Sequence, residues 1–169
     1  MGQARAGAFE EFVAARWSGL LHLARLLTAG DRHRAEDLLQ ESLVRLWAAW
    51  PKVADGAPEA YVRRVMARAA ARSARRRWWG ERPVDRLPET PAAGGDMSAA
   101  VAERSRLEAA LSLLPPKQRA AVVLRYYEDL PEGQVADALG CPVGTARSHV
   151  ARGVARLRTL LADVVEPVG

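Results

Sequence analysis

The spacing of the apolar residues constrains this chain more than any other feature. Phe9, Phe12, Val13, Leu20, Leu21, Leu23, Ala24 and Leu27 recur at intervals of three and four. That interval stacks side chains on one face of an α-helix. Residues 31–50 repeat it with Ala35, Leu38, Leu39, Leu43, Leu46, Trp47 and Trp50. Runs of β-branched residues bounded by turns, the signal of strands, are missing. Ala, Leu, Val and Arg dominate, which favours helix. The expected fold is all-α.

Proline and glycine mark the boundaries. Gly30 is expected to end the first helix and Pro51 to stop the second. A loop over 51–60 leads into a third helix from about Pro58 to Trp79, with Val62, Val65, Met66, Ala69 and Ser73 toward the core. Residues 81–100 are rich in Pro, Gly and Ala without a period and are expected to be a flexible linker. Beyond it, Pro115, Pro131 and Pro142 divide the chain into helical segments 101–114, 116–129, 132–139 and 143–162. The organisation expected is two small helical domains, 1–80 and 101–169, joined by that linker.

The chain has 169 residues, a formal charge of +5 and a pI of about 10.1. Its excess of base suits a polyanionic partner, and a GC-rich genome is the competing source of so much arginine. The charge is uneven: residues 1–90 hold 16 Lys/Arg against 11 Asp/Glu, and residues 91–169 hold 9 against 9. Cys141 is the single cysteine, so an intrachain disulfide and a zinc set are excluded. Cys141 reads as a small packed residue at a turn. His22 and His33 lack partners at metal-ligand spacing. No metal and no cofactor is expected. No apolar run is long enough for a membrane span, and the amino terminus lacks the apolar core of a signal peptide. The expectation is a soluble cytoplasmic protein. No phosphate loop or nucleophile–base motif argues for an enzyme.

The neutral second half is polarised within itself. Residues 128–139 carry Glu128, Asp129, Glu132 and Asp137 and no base, whereas residues 141–158 carry Arg147, Arg152, Arg156 and Arg158 and no acid. Residues 134–140 form a short helix ended by Gly140, then a turn over 141–144, then a longer helix. On that helix Ala146, Val150, Val154, Leu157 and Leu161 make one stripe, with Thr145, Ser148, His149, Arg152 and Arg156 opposite. This is the form of a helix-turn-helix whose second helix enters the major groove. Ser148, His149 and Arg152 are placed to read base edges, and Arg156 and Arg158 to meet phosphates. By helical angle Arg147 sits nearer the apolar stripe, where it flanks the groove or pairs with a nearby acid. A plain solvated basic face is the alternative.

Two faces of the first half are poorly explained as core. Asp37, Gln40, Glu41 and Val44 form a stripe turned from the second helix's apolar side. It reads either as solvated surface or as a dock for a basic protein. In the third helix seven Arg and no acid lie between Tyr61 and Trp79. Arg64, Arg68, Arg72 and Arg75 share one stripe, with Tyr61 and Trp79 near it. Like charges at i, i+4 repel, so the stripe gains from an anionic partner. Aromatics beside arginine suit unstacked bases, and an amphipathic membrane-surface helix is the competing reading.

Residues 35–47, 60–79, the Pro/Gly linker and the run from Leu114 to Arg158 together resemble the extracytoplasmic-function (ECF) RNA polymerase sigma factors, most closely the actinobacterial SigE-like branch. The resemblance spans about Phe9 to Leu161. It implies a sigma factor that binds core polymerase and directs promoter recognition and initiation, with no catalysis of its own. Asp37, Gln40, Glu41 and Val44 would dock on the clamp helices of the largest polymerase subunit. Tyr61, Arg64, Arg68, Arg72, Arg75 and Trp79 would hold the melted −10 strand. Arg147, Ser148, His149, Arg152 and Arg156 would contact the −35 element, and an anti-sigma factor is a further candidate partner. The chain departs from the common pattern at Arg63 and Arg68, where an aromatic and an Asn are frequent. It departs again at His149, Ala151 and Pro131. A helix-turn-helix regulator independent of polymerase is the alternative, and the Asp37/Gln40/Glu41 face separates the two.

Overall fold

The computed structural model describes residues 1–78 and 98–162, with side chains through Arg72 in the first stretch. The described residues form helices and connecting turns. Helices α1 (Gly2–Leu27), α2 (Arg32–Val53) and α3 (Pro58–Trp78) build an amino-terminal bundle. Helices α4 (Ala99–Ser112), α5 (Pro116–Val122), α6 (Glu132–Leu139) and α7 (Val143–Ala162) build a carboxyl-terminal one. A π-helical turn over Val123–Tyr127 continues α5.

The apolar spacing locates the first core. Leu20, Leu23, Leu39, Leu46, Val62 and Met66 are fully buried where α1, α2 and α3 meet. Phe9 and Phe12 stack edge-on or tilted against Trp50 at 5.2 and 5.5 Å. Asp31 caps α2, its carboxylate accepting from the Arg34 amide at 3.1 Å.

Pro51 does not stop α2, which runs on to Val53. A proline inside a helix removes the N–H that would reach the carbonyl four residues earlier. Here that carbonyl belongs to Trp47, and Arg5 Nη2 donates to it at 3.0 Å while its guanidinium lies 4.6 Å from the Trp47 ring centroid. The same contact engages the first turn of α1, which starts at Gly2. Val65 and Ala69 of α3 are half-buried, whereas Ala67, Ala70 and Ala71 are buried. Ser73 and the linker over 81–97 lie outside the described side chains and residues. Ala99 and Ala100, expected in the linker, already belong to α4.

The two bundles pack on each other. One apolar cluster joins Leu23, Leu26 and Leu27 of α1 to Leu111, Leu114 and Val123. Beneath it Arg119, 8% exposed, donates to the carbonyls of Leu111 at 2.8 Å, Leu114 at 3.1 Å and Leu27 at 3.3 Å. It thereby satisfies last-turn carbonyls of two helices, one from each bundle. Burial, and then Arg34, lower its pKa to about 10, so it stays charged at neutral pH.

Candidate nucleic-acid interface

Helices α6 and α7 meet across a short turn. Pro131 precedes α6 and caps it without a side-chain bond. Gly140 ends it in the left-handed region at φ +67°, where a side chain is strained. Pro142 opens α7, its carbonyl accepting from the Ala146 amide at 3.0 Å.

The buried side of α7 differs from the expected stripe. Ala146, Gly153 and Leu160 are buried, while Val150, Val154, Leu157 and Leu161 are half-buried. Gly153 is the cause. A Cβ there would stand 2.5 Å from Val122 Cγ2 and 3.3 Å from the Gln118 carbonyl. The missing side chain lets α5 approach on that side. The helix is rotated accordingly, and His149 and Arg156 are half-buried rather than fully outward. Burial, with Lys117 and Arg152 nearby, pushes the His149 imidazole below its ordinary pKa. Ser148 and Arg152 are exposed as expected. Arg147 pairs with an acid: its Nε and Nη2 both lie 2.9 Å from Glu132 Oε2. Glu132 of the acidic segment thus lies against the basic helix.

In the amino-terminal bundle Asp37, Gln40, Glu41 and Val44 are exposed side by side on α2. Val44 is 69% exposed. Glu41 pairs with Arg45 at 3.0 Å, one turn along. On α3, Arg64 and Arg72 are exposed, and the Arg64 guanidinium stands 5.9 Å from the Tyr61 ring centroid. Tyr61 is half-buried. The side chain of Arg75, and Trp79 altogether, lie outside what is described.

Arg68 is exposed on one side only. Its Nε donates to the Ala138 carbonyl at 2.9 Å and its Nη2 to the Asp137 carbonyl at 2.7 Å. Arg63 bridges Glu59 on its own helix, at 2.6 Å, and Glu128 beyond the π-helical turn. Of the acids in residues 128–137, Glu128 thus lies against an arginine of α3, and Asp137 meets Arg68 through its backbone carbonyl. Asp37, Glu41, Tyr61, Arg64, Arg68 and Arg72 line a cleft of about 1780 Å³ that also touches Gly140 and Cys141.

Residues 14–80 match the model of Sigma-70 region 2, and residues 104–157 match that of Sigma-70 region 4. The RNA polymerase sigma-E factor of Streptomyces coelicolor is 40% identical over 89% of this chain and 84% of its own. This chain is an ECF RNA polymerase sigma factor. Its relatives here are actinobacterial. The ECF sigma factor SigE of Mycolicibacterium smegmatis is 34% identical over 95% of this chain, which spans 64% of that relative. Two solved structures share the fold. RpoE of Bartonella quintana, crystallised with the anti-sigma factor NepR, gives a TM-score of 0.65 at 23% identity, covering 94% of this chain and 98% of that one. CnrH, solved with the cytosolic domain of CnrY, gives 0.63 at 23%, covering 98% and 96%. As a sigma factor the chain works with core RNA polymerase and promoter DNA in transcription initiation.

Three residues of consequence stand out only in the structure. Arg119 lies in a helical segment, where a lone arginine reads as surface. Gly153 carried a signal, because glycine inside a helix costs about 1 kcal/mol relative to Ala and calls for a packing reason. Ala67 is an ordinary helix former whose burial depends on the second bundle.

Proposed function

We propose that the surfaces divide the sigma factor's work as follows. Residues 1–80 form the domain that docks on core polymerase and holds the melted −10 strand. Residues 81–100 connect it to a −35-binding domain over 101–169. Asp37, Gln40, Glu41 and Val44 meet the clamp helices of the largest polymerase subunit. The observation that carries this reading is Val44, an apolar side chain 69% exposed within an acidic stripe. A protein partner with basic and apolar groups would cover all four.

Tyr61, Arg64, Arg68, Arg72, Arg75 and Trp79 hold the −10 strand through phosphate contacts and base stacking. Arg147, Ser148, His149, Arg152 and Arg156 contact the −35 duplex, with Ser148 and Arg152 foremost because both are exposed near the amino-terminal half of α7. Among the described residues no helix is long and apolar enough to cross a membrane, and no acidic, histidine or cysteine group could hold a metal. The protein acts in the cytoplasm, leaves the chemistry to polymerase, and is open to an anti-sigma partner of the kind bound by RpoE of Bartonella quintana.

The test is a core-polymerase pulldown followed by run-off transcription. Gln40→Ala with Glu41→Lys is expected to abolish core binding while leaving duplex binding by the chain intact. Equal loss of both activities would argue against the docking role.

A further inference from the structure

The cleft bounded by α2, α3 and the α6–α7 turn holds more base than its own acids balance. Seven Lys or Arg side chains line it against three acids, Asp37, Glu41 and Asp137, an excess of four. Glu41 is already paired with Arg45. Lys52, Arg64 and Arg72 are exposed and form no ion pair with the described residues. Arg68 is fixed along one edge, its Nε and Nη2 donating to the Ala138 and Asp137 carbonyls at 2.9 and 2.7 Å. Gly140 makes room for it, since a Cβ there would stand 3.5 Å from Nη2. Its Nη1 makes no hydrogen bond among the described residues. A guanidinium held on one edge and open on the other is a preorganised anion donor. Arg64, Arg68 and Arg72 recur every four residues and so span about 12 Å along α3. That length suits a chain of linked phosphates better than a single anion. The rest of the lining is apolar. Ala49 and Val53 near the end of α2, and Val65 on α3, are half-buried in the wall. Tyr61 lines the same cleft, with the Arg64 guanidinium 5.9 Å from its ring centroid. An aromatic ring among small apolar groups and beside a cation accepts the flat face of a base. A volume of about 1780 Å³ holds base, sugar and phosphates together.

We propose that this cleft is a binding site for a nucleoside polyphosphate. The base lies against Tyr61, Ala49, Val53 and Val65, and the phosphate chain follows Arg64, Arg68 and Arg72. Lys52, from the facing helix, adds a fourth cation. Inorganic phosphate would leave the apolar lining unused, and an uncharged ring would leave the cations unpaired. Arg64 and Arg72 also belong to the surface proposed for the −10 strand, so nucleotide and strand exclude each other. That exclusion rests on the strand assignment, whereas the affinity of the cleft for nucleotide does not.

The test uses the full chain and isothermal titration calorimetry with ATP and with inorganic tripolyphosphate. ATP is expected to occupy one site and to bind about tenfold more tightly than tripolyphosphate, the usual gain from one stacked base. Arg64→Ala and Arg72→Ala should each weaken ATP by about tenfold, the scale of a lost charge-assisted contact. Tyr61→Leu keeps an apolar side chain of similar size. It should erase the preference for ATP and leave tripolyphosphate binding as it was. Arg32→Ala removes an exposed cation outside the cleft and should change neither ligand. Wild-type protein that shows no saturable ATP binding up to about 1 mM overturns the proposal. So does an Arg32→Ala variant that loses as much affinity as Arg64→Ala, because a diffuse basic surface would then be responsible. Equal affinity for ATP and tripolyphosphate overturns the nucleoside part. Oligothymidylate should displace a fluorescent ATP analogue from the wild-type chain. Oligothymidylate that binds without displacing it overturns the exclusion and leaves the nucleotide site standing. If ATP binds as expected and oligothymidylate does not bind at all, the −10 assignment falls and the nucleotide site stands.

Discussion

Helices α3 and α7 carry nearly the same charge pattern and meet opposite surroundings. Each is an arginine-rich, acid-poor face opposite an apolar one. On α7 the outward side is open: Ser148 and Arg152 face solvent, and Arg147 is tied to an acid, Glu132. On α3 the second bundle takes Arg63 and Arg68, and Arg64 and Arg72 stay exposed. A basic stripe therefore shows that an anionic or electron-rich partner is wanted. It does not show whether that partner is a phosphate, a carboxylate or the end of another helix of the same chain.

The comparison breaks most completely if the second bundle loses its anchor to the first. Arg119→Met leaves carbonyls at the ends of α1 and α4 without donors, at an expected cost of about 3 kcal/mol. Guanidinium unfolding reads it, and a loss well under 1 kcal/mol would show that the buried network is dispensable. Gly153→Val forces α7 away from α5 and should cost about 2 kcal/mol, the usual scale of overpacking. Here the thermal midpoint is the measurement, and an unchanged value would mean that Val122 can move aside.

The next tests sharpen the comparison instead of breaking it. Arg152→Ala should cost about 1–2 kcal/mol at one promoter position if it reads a base, whereas Arg64→Ala should weaken all sequences alike and lower the salt slope by about one. Binding titrations over several sequences and salt concentrations separate the two patterns. Arg147→Ala should change stability by less than about 1 kcal/mol, because its pair with Glu132 is largely exposed.

The smallest effect is a pH dependence. Burial first, and then Lys117 and Arg152, hold His149 below its ordinary value. Burial likewise lowers His22, with Arg104 the next cause. A base depressed in the folded state contributes stability that is complete above its unfolded pKa of about 6.5 and is lost as the pH falls toward its folded value. The melting temperature should therefore decline on acidification below about pH 6.5. The double variant His22→Gln/His149→Gln should flatten that decline, and an unaltered slope would assign it to other groups.

Much of the candidate site was legible because it depends on helical angle. Asp37, Gln40, Glu41 and Val44 share a face once α2 is a helix, and they emerge together in the structure. Arg64 and Arg72 do the same on α3. Pro51 misled because its effect depends on a residue from another helix: Arg5 takes up the Trp47 carbonyl that the proline leaves free. The face of α7 was misread by a fraction of a turn because a glycine contributes nothing to an apolar stripe, yet decides which side can approach closely.

Local spacing by itself determined the all-α class, the order of helices, the proline starts of α3, α5 and α7, and the two basic faces. These follow from backbone geometry and the period of the side chains, which act over a few residues. Only the tertiary structure decided which charges find each other. Arg63 and Glu128 are 65 residues apart, and Arg68 and Ala138 are 70. No periodicity reaches that far. The acids that looked alike in sequence part company: Glu132 pairs with Arg147 of the basic recognition helix, whereas Glu128 reaches Arg63 of α3, beside Ala67 buried against the second bundle.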